Sequence, residues 1–516
     1  IAAAKKAADL GLQVVLVEEG RRLGGSYDYL HAGDAGQTTA RKEQIDEIEN
    51  NPHITVHCNT YAAGYYDDGY IPLVGPNKLI HLQAGAVIFA TGLMEQPAVF
   101  RNNDVPGVML ASAAQRLVHR YAVQAFNTGV VFTSNNAGYL AALDLVRIGA
   151  DIDVIVDTGD PNTRVNEDHH LANLAIAAGI TVIPHSHVSA AHAKANRLSG
   201  VTIRSDKTNT EQQIACDGLL MSMGWAPNAA LLYQAGGKLT YDESLEQIKP
   251  HELPVGVYAA GRINGYVDLA DQQRDAEAAA EEAASGLGKI KKPTTTRPSA
   301  PSTALSNPLP IFPHSDGKEF IDLDEDITLA DIDVAYREGF DSIELLKRFS
   351  TIGMGPSQGK TSNMNGVRLL AHHRNEPVGV IGVTTPRPFL HPVPMGTLAG
   401  RRMRRHWSTP MQEFHESHQA DMMEAGTWLR PMNYGEYPRA GKLGGSLARE
   451  YHAVRNGVGL IDVSTLGKIE LFGPDVIPLM EYAYTARAEE RRVGKKGRAW
   501  GRSSSDKQRT AKQGRK

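Results

Sequence analysis

The run Gly11-Leu12-Gln13-Val14-Val15-Leu16-Val17-Glu18 most constrains the fold. It is an apolar segment that ends in a carboxylate, follows an alanine-rich helix pattern, and leads into the turn Arg21-Arg22-Leu23-Gly24-Gly25-Ser26. A short buried strand between a helix and a glycine turn reads as the second half of a βαβ unit. In such a unit the acid after the second strand accepts hydrogen bonds from ribose hydroxyls, and a glycine loop before the helix admits a pyrophosphate to the helix N-terminus. Glu18 fits the ribose role, with an ordinary strand-end glutamate as the alternative. The chain begins at Ile1 in mid-helix, so the GxGxxG loop and the native N-terminus are expected to lie before it.

Two further segments extend this pattern. Ala84 to Gly92 (AGAVIFATG) is an apolar strand ending in the small-residue turn Thr91-Gly92, which lets backbone pass close to a cofactor. Gly256 to Arg262 (GVYAAGR) resembles the last strand of a two-dinucleotide-domain flavoprotein, but Arg262 stands where an acid usually binds the flavin ribityl chain. That departure lowers the case for FAD here and is compatible with a different dinucleotide in the same groove. Between them, Gly129 to Gly138 (GVVFTSNNAG), a helix to Gly149 and the strand Ile152 to Asp157 form a second Rossmann-like unit. Its loop keeps one glycine, Gly138, where a nicotinamide-binding loop has three, so a structural role is favoured there.

Composition narrows the class. No apolar run approaches the ~20 residues that span a bilayer, and hydrophobic residues are 41% with 22% charged, which reads as a soluble, cytoplasmic protein with no membrane partner. Cys58 and Cys216 stand far apart outside any CxxC pair, so thiol redox, iron-sulfur and zinc sites lack ligands and no metal is expected. The net charge of -4 hides two unlike pieces, because residues 487–516 carry 12 Lys and Arg against 3 Asp and Glu. Such a tail can bind nucleic acid, but here it interrupts an apolar pattern. Glu489 to Lys496 looks like translated adaptor sequence, so the tail is expected to be non-native and nucleic acid is not an expected partner.

Other motifs have local explanations. His185 and His187 could share a strand face but lack a third ligand. Asp322-Leu323-Asp324-Glu325-Asp326 begins like a calcium loop but has Ile327 where Gly is needed. Thr328 instead caps a helix ending at Gly339, with Asp331 at the capping-box position. Gly359-Lys360-Thr361 imitates a P-loop without its first glycine or leading strand. The Pro, Thr and Ser-rich residues 291–316 read as an extended linker. Beyond it, Gly353 to Asn363 combines Lys360, backbone amides and hydroxyls, which suits an anion such as a flavin phosphate; a connecting loop with a solvated lysine is the alternative.

The order of these parts resembles the alpha subunit of heterotetrameric sarcosine oxidase over residues 1–485. The run Gly353-Met354, Gln358-Gly359-Lys360, Thr384-Thr385 and Arg387-Pro388 carries it, followed by Asp462, Ser464 and Gly467-Lys468, which are similar to the entry region of the aminomethyltransferase (T-protein) fold. Asn135-Asn136 with Gly138-Tyr139 resembles that family's replacement for a Rossmann fingerprint.

The expected fold is therefore α/β. An incomplete disulfide-reductase-type dinucleotide domain (1–125 and 217–290) holds an inserted Rossmann-like domain (126–216). A linker (291–316), a small α/β middle domain at an FMN interface (317–402), the start of an aminomethyltransferase-like α+β domain (403–486) and the tail (487–516) follow.

The resemblance implies oxidative demethylation of sarcosine to glycine, with catalytic residues in a partner beta subunit that carries FAD and covalent FMN. Smaller gamma and delta subunits complete the assembly. Oxygen is reduced to hydrogen peroxide at the FMN, and the one-carbon unit passes to tetrahydrofolate or leaves as formaldehyde. NAD would lie in this chain's groove, contacted by Glu18, Gly24, Gly25, Ser26, Thr91, Gly92 and Gly261. Gln358, Gly359, Lys360, Thr361 and Arg387 would face the FMN, and most folate-binding residues would fall after residue 485. Alternatives are an NAD(P)H-dependent flavin oxidoreductase, an alpha-type subunit of an opine or proline dehydrogenase, and a non-catalytic cofactor-binding scaffold.

Overall fold

In a computed structural model, residues 1–30, 35–166, 169–299, 306–399, 405–435 and 446–484 are described; the basic tail at 487–516 lies outside them. They fall into two units, divided after Gly400.

In the first unit, Val14–Val17 pairs in parallel with Ile54–His57, and Val87–Phe89 pairs in parallel with Val257–Ala259. Parallel pairing brings the C-terminal ends of paired strands to one side, where open α/β folds place ligands. The helix Ala2–Asp9 buries Ala4, Ala7 and Ala8 and is joined to the long helix Leu269–Gly286 by the Lys6–Glu281 ion pair at 2.9 Å. Alanine lets the two helices approach closely.

The inserted unit is larger than the expected 126–216. Its sheet has five parallel strands in the order Thr181–Ile183, Asp151–Asp157, Thr128–Thr133, Gly218–Ser222 and Val108–Leu110. Val108–Leu110 is only three residues long, too short to announce itself by periodicity. The helix Asn136–Arg147 covers one face of the sheet, and an antiparallel sheet of Ser186–Lys194, Arg197–Ser205 and Glu211–Ile214 contributes Val188, Val201 and Ile203 to the core on the other. Both faces being covered explains why Gly129 to Thr133 are all buried. Two antiparallel segments, Leu93–Glu95 and Trp225–Pro227, connect the insert to the first domain.

The linker is not a free spacer. Ser306 Oγ accepts from Trp225 N at 2.9 Å, Ile311 bridges Val99, and Arg297 pairs with Asp275 and Glu282. Beyond it, the capping box at Thr328 and Asp331 opens the helix Leu329–Arg337, and Gly339 follows at a φ of 91°. This helix packs with Ile343–Ser350 and Asn363–Arg374 around Ile332, Leu346 and Leu370, in a core that also includes Val99 and Ile248 from the nucleotide-domain segments.

The second unit contains the hairpin Ala420–Ala425 with Trp428–Tyr434 and the helices Gln412–Ser417, Ser446–Asn456 and Val476–Ala483. Its buried polar centre is His415, 2% exposed, which bonds Tyr434 Oη at 2.7 Å and Asp462 Oδ2 at 3.0 Å. Burial raises the Asp462 pKa, but hydrogen bonds from Ser464, His415 and Thr409 outweigh it and hold this carboxyl far below the usual range. Among the described residues, no helix is long and apolar enough to cross a membrane.

Candidate functional site

The first groove is built from the ends of these strands. Glu18 follows Val14–Val17 directly, and its Oε1 accepts from Gly20 N at 2.7 Å. Burial pushes its pKa up, and the Gly20 hydrogen bond opposes this. No partner holds Oε2 among the described residues. In the following turn, Gly24 and Gly25 have φ values of 126° and 57°, which a side chain disfavours. The Ser26 carbonyl accepts from Leu30 N, starting the short helix Tyr27–Leu30.

Arg120 ties the turn to its surroundings. Its Nη2 donates to Gly25 O at 2.7 Å, it lies 3.9 Å from Asp28, and its charge acts on Glu18. Thr91 Oγ1 donates to Asn228 O at 2.5 Å, and Gly92 has a φ of 69°. Gly261 N donates to the buried Asp275 at 2.7 Å, which also accepts from Asn264 and Arg297. The Val87–Phe89 and Val257–Ala259 pairing brings the Thr91-Gly92 and Gly261 turns to one end of the strands, and Tyr27 and Tyr29, in the helix that follows the Gly24-Gly25 turn, act electrostatically on Arg262.

A Cβ built on Gly25 or Gly92 would meet no heavy atom within 4 Å, and on Gly261 only Gln272 Cβ at 4.0 Å. The three glycines thus border open space.

The second expected cluster centres on Lys360. Gly353 N donates to Asp322 Oδ2 at 2.7 Å, Ser362 Oγ to the same oxygen at 2.9 Å, and Ser357 N to Asp324 Oδ2 at 2.8 Å. Two of the amides and one hydroxyl expected to receive an anion are therefore held by the acids that mimic a calcium loop. Lys360 Nζ lies 3.5 Å from His391 Nδ1, and burial pulls its pKa down against the pull of Glu19. Gln358 Nε2 donates to Phe389 O at 2.7 Å, Gly359 has a φ of 73°, and Thr361 and Arg387 are exposed. Lys360 also lines a cavity of about 110 Å³ with Met94, Tyr233, Met364, Val367 and Leu390.

Sequence reading missed His391, and it missed the acids that fix the glycine turns. Asp275 gave no signal beyond being an acid, and Asp322 showed only as the start of a calcium-like run, because their partners are distant in sequence. His187, considered as a metal ligand, bonds Asp206 at 2.6 Å and stacks on Phe312. Cys216 is buried, which pushes its thiol up to about 12.

Residues 1–283 match the pyridine nucleotide-disulphide oxidoreductase family, 316–401 the sarcosine oxidase A3 domain, and 411–497 the GCVT N-terminal domain. The first match covers more than half of the chain, which belongs to the pyridine nucleotide-disulphide oxidoreductase family. More particularly, the chain is similar to sarcosine oxidase subunit alpha of Rhizobium meliloti (strain 1021), at 32% identity over 96% of this chain and 51% of the relative. The same subunit of Corynebacterium sp. (strain U-96) is 31% identical over 96% of this chain and 54% of the relative. The resemblance read from motif order thus holds along the chain, which spans about half the length of these curated relatives. The fold is shared with L-proline dehydrogenase from P. horikoshii, with a TM-score of 0.59 and 21% identity over 77% of each chain.

Proposed function

We propose that this chain serves as the alpha subunit of a sarcosine-oxidising complex. The observation that carries this reading is the order of the three family matches along one chain similar throughout to sarcosine oxidase alpha subunits. In this reading the amine is oxidised in a beta subunit carrying FAD and covalent FMN, with gamma and delta subunits completing the assembly in the cytoplasm. FMN supplies electron transfer to oxygen, giving peroxide. The one-carbon product reaches tetrahydrofolate through the aminomethyltransferase-like part or leaves as formaldehyde.

This chain's residues bind and orient. Glu18 Oε2 accepts from a ribose hydroxyl of NAD, most strongly when its carboxyl is ionised. Gly24 and Gly25 turn the chain away, Ser26 starts the helix beyond, and the bare faces of Gly25, Gly92 and Gly261 admit the ligand. Thr91 locks its turn to Asn228. Lys360 supplies positive charge toward FMN on a loop fixed by Asp322 and Asp324, flanked by Gln358, Gly359, Thr361 and Arg387.

The chain is to be co-expressed with its neighbouring reading frames and oxygen uptake recorded with sarcosine and, separately, with NADH. Sarcosine-driven uptake with peroxide, shifting toward methylenetetrahydrofolate when tetrahydrofolate is added, is expected. Uptake driven by NADH alone would overturn the reading in favour of a flavin reductase. Lys360→Glu should lower the FMN content of the complex, and unchanged content would remove Lys360 from the interface.

A further inference from the structure

Arg262 is a partly buried cation that makes no ion pair with a carboxylate among the described residues, although the charge of Glu95 acts on it. Its guanidinium carbon lies 4.6 Å from the centroid of the Trp225 ring, and burial pulls its pKa below the ordinary arginine value. Trp225 is 3% exposed and pairs in register with Glu95. That acid is engaged elsewhere, since its Oε2 accepts from Ser112 N at 2.8 Å, in the first turn of the helix Ala111–Tyr121. Among the described residues no hydrogen bond or ion pair reaches the Arg262 guanidinium. Arg164 is paired with Asp157, and Arg297 with Asp275 and Glu282, whereas the fully buried Arg368 also has no ion pair among the described residues and donates to Glu246 O, away from any glycine turn of the groove. An arginine whose guanidinium has no acceptor and which adjoins a turn bordering open space has N–H donors available to an oxygen-rich ligand.

The position narrows that partner. Gly261, just before it, is locked by Asp275, borders open space and lies at the same end of the paired strands as the Thr91-Gly92 turn. The Trp225 face holds the guanidinium by cation–π attraction and leaves its N–H donors without acceptors. A guanidinium only donates, and its fork matches two oxygens of a phosphate. We propose that Arg262, held on Trp225, anchors the diphosphate of the dinucleotide in the first groove; this rests on reading that groove as the nucleotide site. An acid here would repel the same group, so the exchange of acid for arginine changes which part of a ligand this corner grips.

The test uses the chain purified with its co-expressed partners and freed of nucleotide. NAD, inorganic pyrophosphate and adenosine are titrated separately, followed by the emission change that Trp225→Phe abolishes and, for that variant, by calorimetry. Arg262→Met should weaken NAD and pyrophosphate by about 10- to 100-fold and leave adenosine within about 2-fold, with a thermal transition no lower than that of the wild type. Arg262→Lys, which keeps the charge without the fork, should fall between, and it carries the test should the methionine variant not fold. Equal NAD affinity in wild type and Arg262→Met overturns the inference while leaving the groove's NAD assignment standing. Equal loss for adenosine and NAD overturns it too, since that marks a strut rather than a ligand. Arg262-dependent pyrophosphate binding without NAD binding supports the anion anchor and overturns NAD as the ligand. Failure of the wild type to bind pyrophosphate or NAD overturns both.

Discussion

The two Rossmann-like units share a plan and differ in whether their nucleotide corner is closed. In the first, Glu18 ends its strand with one oxygen unengaged, Gly25, Gly92 and Gly261 face open space, and Arg262 makes no ion pair among the described residues. In the second, Asp157 ends the corresponding strand fully buried. It accepts from Arg164 Nη2 at 2.8 Å and Nε at 2.9 Å, and from Tyr139 Oη at 2.9 Å. Asn135 Oδ1 accepts from Ala137 N at 2.9 Å and Gly138 N at 3.4 Å, so a side chain fills the helix N-terminus that a phosphate would otherwise use. A Cβ on Gly138 would collide with Thr133, which makes that glycine a helix-on-strand packing residue. The same topology is therefore a groove in one place and a sealed support in the other, and the side chains at the strand ends decide which.

The largest effect should come from opening the sealed unit. Asp157→Asn leaves Arg164 without its buried countercharge and should cost about 3 kcal/mol, read from the denaturant midpoint; a loss below about 1 kcal/mol would mean that the pair does not seal the corner. Gly138→Ala should cost about 2 kcal/mol through overpacking against Thr133, and a neutral result would show that the helix can shift away.

In the open groove the cost should fall on binding instead. Glu18→Gln should weaken NAD by about 10-fold through the lost charged acceptor, with thermal stability nearly unchanged. Equal losses of affinity and stability would make Glu18 a structural residue. Its pH behaviour sharpens this. Because burial raises the Glu18 pKa in the folded chain, its contribution favours folding in acid and is lost as pH rises through that raised value. NAD affinity should run the opposite way, falling as pH drops through it, and Glu18→Gln should remove that acid limb from the titration. The smallest effect is expected for Asn135→Ala, about 1 kcal/mol of lost capping, with no change in NAD affinity.

Much of this contrast was legible in the sequence. The Gly11 to Glu18 strand, the Thr91-Gly92 turn and the lone Gly138 separated the units because strand ends and glycines are local signals. The seal itself was not legible, since Arg164 reaches Asp157 through a fold-back that no periodicity records. The short strand Val108–Leu110 escaped for lack of length, and the Ser306 anchor because it sits in a Pro and Ser-rich stretch. Around Lys360 the glycines were visible, while the acids that hold their amides looked like a failed metal loop.

The segment from Gly457 to Phe472 marks another limit. It reads as part of the entry to an aminomethyltransferase-like domain, and Leu460 is 100% exposed, Ile461 78%, Ile469 86% and Phe472 70%, with none of them in a strand among the described residues. A pattern favours a strand only where a neighbour receives its hydrogen bonds.

Hydrogen exchange of the co-expressed complex with and without NAD tests the open-and-sealed account most directly. Protection is predicted around Glu18 to Leu30, Thr91 to Glu95 and Gly261 to Gly265, with no change at Thr133 to Tyr139 or Asp157 to Arg164. Protection confined to the Asn135 and Asp157 segments would contradict the account and place the nucleotide in the second unit.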